Sequence, residues 1–151
     1  MGVTTGQRRT PAKSRPVRNL GYTISILINV FFLYVVNNLV DWDISWITDD
    51  FSKVVWLFNL SLGATIAANV LYLFFDPPWF KSLTQVVTLA LSVAVAVRLW
   101  QVFPVSFTGD FPWAGLFRVA LVVGIVGGSI GIVVELVKLA RIAAGMSQPE
   151  A

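Results

Sequence analysis

The sequence predicts an all-α integral membrane protein: a four-transmembrane-helix bundle with short loops, N-in and C-in, preceded by a disordered basic N-terminal arm. Three observations carry this. Of 151 residues 56% are apolar and only 13% charged, roughly half the charge of an average soluble domain, and mean hydropathy is +0.76. The apolar residues come in four runs, each long enough at ~1.5 Å per residue to cross a ~30 Å hydrocarbon core. The basic residues gather on one side of those runs. A soluble bundle fails on the same grounds, because helices apolar on all sides leave no face for water.

The chain reads in order as follows. Residues 1–19 hold Arg8, Arg9, Lys13, Arg15 and Arg18 among Gly, Thr, Ser and Pro, and form a basic cytoplasmic arm. Near an anionic leaflet each such cation contributes ~1 kcal/mol of attraction. The arm has no aromatic residue on which bases would stack, so a nucleic-acid partner is not expected.

The membrane domain is 20–140. Its first span, about 20–40, is uncharged and is followed by Asp41-Trp42-Asp43 rather than a small-residue cleavage site, so it reads as a retained span and not a signal peptide. The first outer loop offers Trp42, Trp46 and Ile47 as a turn at the headgroup level, with Thr48 or Asp49 as the cap of the second span. The second span is about 54–75.

Asp76-Pro77-Pro78 reads as an N-cap with prolines in the first helical turn, which makes the second and third spans a close hairpin. The third span is about 80–103. Pro104, Gly109-Asp110 and Pro112 mark the second outer loop, the fourth span is about 113–138, and 141–151 is a cytoplasmic tail.

Orientation follows from Lys and Arg. Arg8, Arg9, Lys13, Arg15, Arg18, Lys81, Lys138 and Arg141 fall on the side of the N-terminus, against Lys53 on the other and Arg98 and Arg118 just inside the spans. The positive-inside rule then puts both termini in the cytoplasm. A compact chain of this kind fits a bacterial plasma membrane.

Composition excludes much chemistry. Without Cys or His there is no disulfide, no thiolate or imidazole metal site, no usual haem ligation and no Ser-His-Asp triad. No cofactor and no catalytic activity are expected. Asp41, Asp43, Asp49 and Asp50 have oxygen ligands for a divalent cation, but their spacing matches no calcium or magnesium loop and a solvated loop is the plainer reading.

Polar groups in lipid are costly, so those within the spans carry the remaining information. Arg98 and Arg118 stand at equal offsets from the second outer loop, about one turn below the surface. They read either as snorkelling cations paired with loop aspartates or as an anion or lipid-headgroup site.

In span four Ala120, Gly124, Gly128 and Gly131, with Gly127 beside them, form a small-residue face. It serves packing within the chain, or docking of a homo- or hetero-oligomeric partner in the bilayer. Glu135 continues that face and pairs with Lys138 at the inner boundary. Asn29 and Asn37, Asn59, Thr65 and Asn69, and Gln85 and Ser92 make a thinner polar seam, read as hydrogen-bonding glue between helices or as a narrow hydrated path.

No span contains an internal proline, so the broken-helix sign of a transporter is absent. The expected function is an accessory or scaffold subunit of a membrane complex. A small transporter or channel for an anion or lipid, with Arg98 and Arg118 at its outer mouth, is the alternative.

Overall fold

A computed structural model describes residues 15–106 and 112–145. These residues are all-helical, with one isolated antiparallel bridge and no strand among them. Helix α1 is Arg15–Asn38, α2 is Ser52–Phe74 preceded by a 3-10 turn at Asp49–Phe51, α3 is Pro78–Val102 and α4 is Trp113–Ala143. All four are long and apolar enough to cross a membrane.

The helices outrun the apolar runs where charge begins. α1 includes Arg15 to Asn19, which the composition assigns to the arm, and α4 continues past Lys138 to Ala143. Charged and polar side chains at a helix end reach water without breaking backbone hydrogen bonds, so apolar length understates helix length.

Neighbouring helices run antiparallel. Tyr22 near the start of α1 packs on Tyr72 near the end of α2, ring centroids 5.3 Å apart. Gly128 and Gly131 of α4 lie against Val93 and Leu89 of α3 in reverse order. Packing follows chain order, α1 on α2, α2 on α3 and α3 on α4, and α1 forms no comparable interface with α4. The bundle is therefore open along its α1–α4 edge. Large apolar side chains face outward along every helix, as with Leu27, Trp56, Phe74 and Val123. A surface of this kind suits hydrocarbon and would be a very large apolar patch in water.

The compact part lies where α1 ends and α2 begins. Val36, Phe51 and Val54 are buried there, with Ile47, Phe58, Leu99 and Val102 packed around them. Two hydrogen bonds clamp this end: Thr48 N–H donates to Pro104 O at 3.1 Å and Ser106 N–H to Trp46 O at 2.8 Å. Ile47, read from sequence as part of a headgroup-level turn, instead faces this core, and its backbone pairs with Val105. Thr48 sits in extended geometry before the 3-10 turn, but its hydroxyl makes no cap bond.

Candidate functional site: a basic cleft at one end of the bundle

At the opposite end, three residues join α2 to α3, and their chemistry differs from the sequence expectation. Asp76 does not cap α3. Pro77 occupies the cap position without a side-chain bond, and Pro78 opens the helix. The Asp76 carboxylate turns instead to three donors. Lys81 Nζ donates to Oδ2 at 2.8 Å, Tyr22 OH donates to the same oxygen at 3.2 Å, and Arg18 Nη1 lies 3.9 Å away.

A cap bond would be charged on the carboxylate alone, whereas Lys81 also brings a full positive charge to the bond. The Lys81 bond, with the charges of Lys81 and Arg18 and the Tyr22 hydroxyl, holds the Asp76 carboxyl below its ordinary value against the opposing effect of partial burial. The hub also gives Arg18 a carboxylate partner across the α1–α2 hairpin.

Aromatic contacts brace the hub. Lys81 Nζ lies 5.3 Å from the Tyr22 ring centroid. Tyr72 OH is hydrogen-bonded to Thr84 Oγ1, and Phe75, Trp79 and Phe80 form a mutual edge-to-face cluster on the joint.

The hub forms the floor of an open cleft of about 690 Å³. Arg15 and Arg18 of α1 line one side, and Glu135 and Lys138 of α4 the other. Lys138 Nζ donates to Glu135 Oε1 at 2.6 Å, the pairing expected from the i,i+3 spacing. Glu135 is largely covered, at 14% side-chain exposure, while Lys138 is half exposed. The cleft thus contains four cationic and two carboxylate side chains, a surplus of two positive charges. Gln85 of the expected seam also lines it.

Sequence reasoning put Lys81 and Lys138 on one side of the membrane, and it missed Asp76 and Tyr22 as partners of Lys81. The available signal was the charge pairing of Arg18 with Asp76 across an antiparallel α1–α2 hairpin, with Tyr22 one turn beyond Arg18.

The other expected residues are distributed differently. Arg98 and Arg118 are both exposed and share no partner among the described contacts. Arg98 Nη1 approaches Gln101 Oε1 at 3.4 Å. The Arg118 guanidinium carbon lies 4.7 Å from the Phe103 ring centroid and 5.9 Å from that of Trp100. Asp110, a candidate counter-charge, lies outside the described residues.

The seam largely closes on its own helices. Asn29 donates to Ser25 O, Thr65 to Ser61 O, Asn69 to Thr65 O and Ser92 to Thr88 O. The i−4 carbonyl is always within reach of such side chains and needs no cross-helix alignment. Asn37 and Asn59 are the exception, bonded to each other between α1 and α2.

The glycine face divides. An added Cβ on Gly128 would lie 2.5 Å from Val93 Cγ2, and one on Gly131 3.1 Å from Leu89 Cδ1. Gly124 and Gly127 have nothing within 4 Å. Only at the levels of Gly128 and Gly131 do side chains of α3, Val93 and Leu89, reach the row. Comparison with protein-family models, curated proteins and solved structures finds no match to this chain.

Proposed function

We propose that the protein is a non-catalytic accessory or scaffold subunit that docks a transmembrane helix of another subunit against α4. The supporting observation is the division of the glycines. α3 takes up Gly128 and Gly131, while Gly124 and Gly127 remain exposed with open space around them, beside exposed Ala120. Small residues let two backbones approach closely and gain dispersion contacts that lipid tails do not match, so the occupant this face fits is another helix. Gathering of Arg15, Arg18, Lys81 and Lys138 at one end supports a topology with both termini in the cytoplasm. The anion or lipid pathway at Arg98 and Arg118 has less support, because neighbouring side chains engage each guanidinium separately.

A photocrosslinking residue at position 124, with one at 133 as control, tests this in native membranes. The expected result is a discrete adduct at 124, none at 133, and loss of the adduct in Gly127→Leu. Equal labelling at both positions, or none at 124, overturns the reading. An adduct of twice the 16.6 kDa chain mass identifies self-association and overturns the accessory role.

A further inference from the structure

The cleft between the charged ends of α1 and α4 has a chemistry that helix docking does not use. We propose that it binds a phosphate group, supplied by the headgroup of an anionic phospholipid.

Charge is the first ground. Asp76 and Glu135 each hold a lysine, at 2.8 and 2.6 Å, which leaves the equivalent of two cations without a carboxylate. Arg15 has no ion-pair partner among the described residues. Arg18, 38% exposed in its side chain, reaches Asp76 only through Nη1 at 3.9 Å. A guanidinium with unspent donors in a planar fork matches the oxygens of a phosphate.

Position is the second ground. The cleft lies at the ends of four helices that are each long enough to cross a bilayer, where headgroup phosphates would be. It is open rather than enclosed, and exposed Phe74 and Phe75 stand at its edge. These supply apolar surface for acyl chains beside the charged groups. Basic pockets between membrane helices on the cytoplasmic side are suited to such headgroups.

A free phosphate offers the same group without the acyl chains, and the test separates the two. The purified full-length protein is equilibrated in mixed micelles containing equal amounts of phosphatidylglycerol and phosphatidylcholine, and retained lipid is counted by native mass spectrometry. Wild type is expected to retain phosphatidylglycerol preferentially. Arg15→Gln and Lys138→Gln leave the Lys81–Asp76 bond in place, and each lowers the preference about fivefold, the factor that ~1 kcal/mol represents. Glu135→Gln removes a negative charge and raises it, a change of opposite sign that misfolding would not produce.

Arg98→Gln with Arg118→Gln, at the other end, leaves the preference unchanged. Equal retention of the two lipids by wild type overturns the proposal, as does a preference that the cleft variants do not alter. In a second arm, inorganic phosphate is titrated into lipid-free detergent. Protection of the fold that depends on Arg15 and Lys138, without phosphatidylglycerol selectivity in the first arm, assigns the cleft to soluble phosphate and overturns the lipid source.

Discussion

Asn37 and Asn59 exchange two amide hydrogen bonds across the α1–α2 interface. Asn37 Nδ2 donates to Asn59 Oδ1 at 2.7 Å, and Asn59 Nδ2 donates to Asn37 Oδ1 at 2.9 Å. The second proton on Asn37 Nδ2 goes to Leu33 O at 2.7 Å. Asn37 therefore uses both donors and its acceptor, and Asn59 one donor and its acceptor.

This pair fixes the register of α1 on α2, and a double-mutant cycle measures it. Asn37→Leu or Asn59→Leu alone leaves one amide without its partner and is expected to cost about 1 kcal/mol. The double variant is expected to cost about 1.4 kcal/mol rather than the additive ~2 kcal/mol, because no orphan amide remains. The coupling energy is expected near 0.6 kcal/mol and below about 1.7 kcal/mol, the range found between membrane helices. Steric-trap or denaturant unfolding in micelles reads it, and zero coupling would remove the pair from any role in register.

Much of the architecture was legible because a bilayer-sized apolar run has few alternative readings. Each of the four apolar runs lies in a helix, although α1 and α4 extend past them into charged residues, and Lys138 pairs with Glu135 at i,i+3 spacing. What the sequence did not show depends on helix rotation and side-chain choice. Asp76 has the local pattern of an N-cap, and only the approach of Tyr22 and Arg18 from another helix turns it into a hub. The glycines look like one face, yet only Gly128 and Gly131 meet side chains of α3, because that depends on which residues the neighbouring helix presents at each level. The seam residues are polar at the right spacing, but that spacing serves bonds to the same helix as readily as bonds to the next.

Gly128 is the position where α3 and α4 have least room. Its added Cβ would meet Val93 Cγ2 at 2.5 Å, and a β-branched valine has no flexible end to swing away. Gly128→Ala is expected to destabilise the fold by about 1–3 kcal/mol, the usual cost of overpacking. Val93→Ala in the same chain should relieve part of it. Gly131→Ala meets only Leu89 Cδ1 at 3.1 Å and is expected to cost less. Thermal unfolding of the three variants in one detergent ranks them, and a neutral Gly128→Ala would show that the helices separate freely.

Arg118 stacks on Phe103, whose backbone adopts the left-handed region at φ 44° while capping α3. That conformation is costly for an aromatic residue, and contacts with Phe117, at 5.8 Å between ring centroids, and with Arg118 offset it. Arg118→Gln removes the cation and is expected to lose about 0.5–1 kcal/mol, appropriate for an exposed cation–π contact. Arg118→Lys should retain part of that. Near-UV circular dichroism and unfolding midpoints report both variants. Equal stability of Arg118→Gln and wild type would leave the Phe103 conformation to packing on Phe117.

The Asp76 hub makes stability depend on pH with a definite sign. The groups facing this carboxylate are Lys81, Arg18 and Tyr22, and together they hold it below its ordinary value. A carboxyl whose affinity for protons falls on folding stabilises the folded state above its unfolded pKa, and that contribution is lost as pH falls through the folded one. Stability contributed by the hub should therefore be constant from neutral pH down to about 4, the ordinary range of an aspartate, and disappear below it. Asp76→Asn isolates the effect. At pH 7 the variant is expected to be less stable than wild type by about 1.5 kcal/mol, the scale of one hydrogen bond to a charged group. The gap should begin to narrow below pH 4, where the unfolded carboxyl takes up a proton, and close once pH falls through the lowered folded pKa and the wild-type carboxyl is neutral in both states. A gap that persists unchanged at pH 3 would mean that Asp76 acts through shape and neutral hydrogen bonds, with its charge contributing nothing to the α2–α3 joint.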